Sequence, residues 1–120
     1  MTITAKICGI NDPEAMRAAI AGGASHIGLV FYRPSPRSLS PGEALALSSV
    51  VPERVQKVGL FVDPDDDQID KTLFVVKLDM LQLHGDETPD RVRDLKARTG
   101  KKVMKAVSYT HLTLPTIYSV

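Results

Sequence analysis

Apolar residues follow two alternating patterns along this chain. Short, nearly unbroken apolar runs at Ile3–Cys8, His26–Phe31, Lys57–Val62, Met80–His84 and Lys102–Val107 read as strands. Between them, apolar residues recur at helical spacing. Met16, Ala19 and Ile20 give Pro13–Ala21 one apolar face, opened by Asp12 as N-cap with Pro13 in the first turn and stopped at Gly22-Gly23. Ser40-Pro41-Gly42-Glu43 is a capping box that opens a helix over Ala44–Val50. The acidic turn Asp63-Pro64-Asp65-Asp66-Asp67 leads into a helix with Ile69 and Leu73 on one side. Thr88-Pro89-Asp90 starts another, through Val92 and Leu95 to a stop at Gly100. Strand and helix alternate four times at spacings of about 22 to 31 residues, which predicts a parallel α/β sheet.

Two parallel architectures compete. A doubly wound open sheet usually carries a Gly-rich phosphate turn after its first strand, and Cys8-Gly9-Ile10-Asn11 is not G-x-G-x-x-G. In a (β/α)8 barrel the chemistry gathers at the C-terminal ends of several strands. Those ends carry Cys8, the loop of Arg37, Asp63 and His84, so the barrel is the better reading. A whole barrel needs about 200 residues or more, and this chain of 120 supplies about four and a half β/α units. Residues 1–107 are therefore expected to be the N-terminal portion of a barrel domain. From Ser108 the sequence turns uncharged, Thr-rich and without helical period, so 108–120 is expected to be a foreign or artefactual tail. A short genuine β segment is the alternative for that stretch.

Charge changes this picture little. Fifteen Lys and Arg stand against 14 Asp and Glu, which gives no broad electrostatic case for nucleic acid or membrane as partner. No run approaches the roughly 20 apolar residues of a membrane span, and the start Met1–Lys6 lacks the character of a signal peptide. A single cysteine excludes an internal disulfide framework and fits a reducing compartment, so a cytoplasmic location is expected.

That cysteine is the strongest chemical signal. A thiol at the end of a strand, just before a helix N-terminus, lies where the helix dipole favours thiolate. Cys8 can then serve as a general base or a nucleophile; otherwise a lone cysteine is a small buried hydrophobe. Arg37 is either a carboxylate clamp or a solvated loop residue. Asp63, Asp65 and Asp67 imitate the start of a calcium loop, but Gln68 stands where that loop needs glycine and Phe74 where it needs glutamate. His26, His84 and His111 lack zinc-ligand spacing, so no metal site is expected. Phe31, Phe61 and Phe74 are expected in the core.

Five segments together resemble the phosphoribosylanthranilate isomerase family of tryptophan biosynthesis. They are Lys6-Ile7-Cys8-Gly9-Ile10, Gly23 to Phe31, Ser35-Pro36-Arg37, Val58-Gly59-Leu60-Phe61-Val62 and Gln82-Leu83-His84-Gly85-Asp86-Glu87. The resemblance implies a (β/α)8 TIM barrel that isomerises N-(5-phosphoribosyl)anthranilate, a small phosphosugar, without metal or organic cofactor. It implies Cys8 as general base, Arg37 on the anthranilate carboxylate, and His84 and Gln82 as pocket contacts at the mouth after the fourth strand. The implied general acid and phosphate-binding loops follow the sixth to eighth strands, and no residue here is assigned to them. The common Thr or Ser after the first motif is Asn11, and the usual Phe of the second strand is Leu29. The resemblance is compatible with a monomer or homodimer, and with fusion to a neighbouring pathway enzyme. As a 120-residue product, the chain is also open to the reading of an inactive half-barrel.

Overall fold

The computed structural model describes residues 6–105 and 117–119, with the side chains of Lys6, Cys8 and 117–119 outside the description. The elements run β1 (Lys6–Cys8), α1 (Pro13–Ala21), β2 (His26–Val30), α2 (Pro41–Ser48), β3 (Gln56–Phe61), α3 (Asp66–Val75), β4 (Met80–Leu83), α4 (Pro89–Thr99), β5 (Lys102–Lys105) and β6 (Ile117–Ser119). Each helix begins where a side-chain oxygen takes up an orphan amide. Asp12 accepts from Ala15, Asp65 from Gln68 and Thr88 from Arg91. Ser40 and Glu43 form the expected reciprocal box. Gly100, at φ 69°, closes α4.

The described strands form one sheet in the order β5-β4-β3-β2-β1-β6, and every neighbouring pair is parallel. Right-handed crossover is the rule for such units, which sets successive helices on one face of a sheet that curls as it grows. The pattern is that of a (β/α) barrel seen through its first strands. Leu29, Gly59, Leu81 and Val103 stand in register across β2 to β5. Leu29 and Leu81 are wholly buried and, with Val103, join the core cluster that also takes in Met16, Ala44, Leu47, Ile69 and Leu95 from the four helices. The alternate row, Val30, Leu60, Gln82 and Met104, faces the other way. Its Met104 is exposed, while Val30 and Leu60 are half-buried.

Gly59 makes room in the helix-facing row. A Cβ there would come within 2.6 Å of Leu78 and 2.9 Å of the Phe61 ring. Phe61 in turn stacks on Phe31 with centroids 5.3 Å apart. Phe74 does not join them: it is 91% exposed. The inward side of α3 is set by Ile69 and Leu73, and Phe74 lies about 140° round the helix from Ile69 at 100° per residue. The helix α2 stops at Ser48, short of the expected Val50, because Ser48 and Ser49 turn their hydroxyls back onto the carbonyls of Leu45 and Ala46. Of the segment expected as a foreign tail, all but Ile117–Ser119 lies outside the described residues. Those three pair in parallel with β1.

Candidate active site

The C-terminal edge of the sheet collects the chemistry. Cys8 is the last residue of β1, in register with Gly28 on one side and Ser119 on the other. Gly9 follows at φ 80°, a conformation that suits glycine, and its amide bonds the Gly28 carbonyl at 3.1 Å, turning the chain off the strand toward α1. The thiol of Cys8 itself lies outside the described side chains.

After β2 the chain folds back on the strand it has just left. Leu39 N donates to Val30 O at 2.8 Å, and Ser38 bridges to Val30. Arg37 rides on this folded loop, half-buried, with its amide on the Ser35 hydroxyl at 3.2 Å. The Gln68 amide group reaches across from α3 to the Phe31 carbonyl at 2.8 Å and ties the loop's root to the next unit. Arg37 thus stands on an ordered turn rather than on a free loop.

Two further residues come from the fourth unit. His84 follows β4 directly, exposed, with its amide on Phe61 O at 2.9 Å. Gln82 was expected at the mouth beside it. It lies instead within β4, in register with Leu60, and is 2% exposed. Strand pairing carries on past Gln82 to Leu83, so the mouth begins one residue later. Cys8, the Arg37 loop and His84 share one edge of the sheet; Gln82 stands one position in from it.

The expected residues are joined there by a polar clasp. Glu87 is a charged side chain only 1% exposed. Its Oε2 accepts from the amides of Asp63 (2.8 Å) and Gly85 (3.2 Å), and its Oε1 from Lys105 Nζ (2.6 Å). Lys105 also donates to the Gly85 carbonyl. Asp63 answers by accepting from Asp86 N at 2.8 Å, and it holds a positive φ of 45° that non-glycine residues seldom adopt. Burial alone would push the Glu87 carboxyl up; Lys105 and the backbone amides outweigh it and hold it below the ordinary glutamate range. In the sequence Glu87 stood only as the last residue of the segment Gln82–Glu87, with no role assigned to it. Two of its three partners, Lys105 and Asp63, lie 18 and 24 residues away, a distance that no local pattern reports.

A cavity of about 700 Å³ opens between the β2–α2 loop and α3, but Arg37, Gln82 and His84 are not among the residues that line it. Several of its polar groups are already engaged: Gln68 on Phe31, Ser40 with Glu43, and Lys71 with Asp67 at 2.9 Å. The acidic turn likewise has local work, with Asp65 capping α3 and Asp66 bonding Arg91 at 2.8 Å. Among the described residues no group of three or more His, Cys, Asp or Glu is placed to hold a metal ion. Among them, too, no helix is long and apolar enough to cross a membrane.

Residues 5–114 match the profile of the N-(5'-phosphoribosyl)anthranilate (PRA) isomerase family, so the match runs past the boundary expected at 107. The N-(5'-phosphoribosyl)anthranilate isomerase of Rhodospirillum centenum is 53% identical over 107 residues, covering 89% of this chain and 50% of that protein. That of Paramagnetospirillum magneticum is 52% identical over 108 residues, with 90% and 50% covered. The crystal structure of phosphoribosyl anthranilate isomerase from Thermotoga maritima superposes with a TM-score of 0.84 at 35% identity, over 91% of this chain and 52% of that one. A structure of such an isomerase in complex with reduced 1-(o-carboxyphenylamino)-1-deoxyribulose 5-phosphate gives the same TM-score of 0.84 and identity of 35%, over 91% of this chain and 55% of that one. The chain spans about half the length of the curated relatives it matches.

Proposed function

Because this chain belongs to the N-(5'-phosphoribosyl)anthranilate isomerase family, we propose that it carries the base and the carboxylate clamp of an enzyme that isomerises N-(5'-phosphoribosyl)anthranilate to 1-(o-carboxyphenylamino)-1-deoxyribulose 5-phosphate. The observation that carries this reading is the 53% identity over 107 residues to a named isomerase. The edge holding Cys8, the Arg37 loop and His84 lies in the segment matched.

The chemistry suits these residues. An acid protonates the ribose ring oxygen and the ring opens to an iminium. Cys8, as thiolate, takes the proton from C2, leaving an enolamine. Protonation at C1, with loss of the C2 hydroxyl proton, then gives the ketone. Hydrogen is moved within one molecule, so no external oxidant or reductant enters the balance. Positioned acid–base groups of this kind contribute about 10²–10⁴-fold each. The Arg37 guanidinium offers two parallel donors to the planar anthranilate carboxylate, which fixes the ring while the sugar reacts. His84 is a pocket contact at the mouth. Gln82, one position in from the edge, supports that contact from within β4. The acid and the phosphate-holding loops are assigned to no residue of this chain.

We place the enzyme in the cytoplasm as a monomer or homodimer; among solved relatives, one from Thermotoga maritima is described as a dimeric enzyme converted to monomers. The test is turnover, followed as loss of anthranilate fluorescence, by the full-length protein and its Cys8→Ala variant. Turnover that survives Cys8→Ala undiminished overturns the assignment of the base. The chain's half-length match favours a second reading, in which the 120-residue product alone turns over no substrate. Turnover by that product at the full-length rate overturns it.

A further inference from the structure

We propose that Glu87 is a positioning residue for the substrate pocket: its carboxylate fixes the His84-Gly85 turn between the Asp63 turn and the end of β5. The proposal rests on the isomerase reading, since it takes that turn to border the substrate. Glu87 is not needed to start α4, because Thr88 already caps that helix. Instead its two oxygens reach back and across. Oε2 gathers the amides of Asp63 and Gly85, from the turns after β3 and β4, and Oε1 receives the Lys105 ammonium from β5.

His84 is thereby held from both sides. Its own amide is on Phe61 O, while the next residue, Gly85, gives its N–H to Glu87 and its carbonyl to Lys105. Asp63 closes the ring from the other side through Asp86 N, its carboxylate lying against the α-carbon of Gly85. An ion pair with one buried partner is a poor device for stability alone, because taking the Glu87 carboxylate out of water offsets much of the attraction. What it supplies is one geometry for three strand ends that converge on the candidate site. The carboxyl is also held in its charged form, by the same partners that it orders.

The experiment compares wild-type and Glu87→Gln full-length protein in steady-state turnover and in amide hydrogen exchange. Glutamine keeps the shape and loses the charge. The expected result is a KM raised about tenfold with kcat little changed, the mark of a misplaced binding group. Faster exchange at the Asp63 and Gly85 amides, with Leu81 unaltered, is expected in the same samples. An unchanged KM overturns the proposal, whether kcat is also unchanged or falls only in step with the folded fraction. If Glu87→Gln fails to fold, Lys105→Met takes its place: a raised KM supports the proposal and an unchanged one overturns it. Absence of turnover in the wild type overturns the isomerase reading instead. The clasp is then judged by exchange alone, with selective loss of protection supporting it and uniform loss overturning it.

Discussion

The carboxylate of Asp63 occupies the space into which any side chain on Gly85 would have to project. A Cβ at Gly85 would lie 2.6 Å from its Cγ and from both of its oxygens. The turns after β3 and β4 therefore fit together only because one of them lacks a side chain. Gly85→Ala must move Asp63 off the Asp86 amide or open the turn, and overpacking of this kind costs about 1–3 kcal/mol. A fall in the urea midpoint with unchanged slope is the expected result, and Gly42→Ala, where a Cβ meets nothing within 4 Å, is the control.

Stability in acid should report on Glu87. Its folded-state pKa lies below its ordinary, unfolded value. The stabilisation it gives is then fully present above that unfolded value and is lost as pH falls through the lower folded one. The difference in unfolding free energy between wild type and Glu87→Gln is expected to be constant near neutral pH and to shrink below about pH 4. Denaturant titrations across pH 2.5–7 (roughly the carboxylate range) would show it; a difference that grows in acid would contradict the sign.

Two substitutions should separate the proposed roles of base and clamp. In full-length protein, Cys8→Ala is expected to lower kcat by about 10²–10⁴-fold. Arg37→Lys should act mainly on KM, because a lysine cannot reproduce the paired donors. Steady-state kinetics checks both, and an Arg37→Lys enzyme with unaltered KM would remove the clamp from the mechanism.

Phenylalanines of one chain should differ sharply in cost. Phe61 is fully buried and stacked on Phe31, so Phe61→Ala is expected to cost about 3–5 kcal/mol. Phe74, 91% exposed, should be replaceable by Ser within about 0.5 kcal/mol. Thermal melts of the two variants make the comparison.

Local features were legible in the sequence wherever neighbouring residues decide the structure. Asp12, Ser40, Asp65 and Thr88 cap their own helices, so each start could be read within four residues of text. Cys8 at the end of β1 followed from where the apolar run stops, whereas His84, read as the last residue of the fourth strand, falls one position past it. Gln82 shows the limit of that reading, since the exposure of a polar residue near a strand end depends on how far the neighbouring strand keeps pairing. Phe74 shows another, because an aromatic residue reads as core unless its angle round the helix is worked out. The Glu87–Lys105–Asp63 clasp was hidden altogether. Its members are ordinary turn and strand residues until the sheet brings them together.

From β1 to β5 each strand lies beside the one that precedes it in the chain. That order has a consequence for synthesis. As the polypeptide leaves the ribosome, each new strand–helix unit meets an edge already made, and the loop to be closed is always a short one, so its entropic cost stays small. The nascent sheet can grow by accretion, one unit at a time. Among the described strands one pairing is exempt: the other flank of β1 is met by β6, which follows β5 in the sequence. Among the described strands, the one that carries Cys8 is thus made before β2 to β5 and gains its second neighbour only after them.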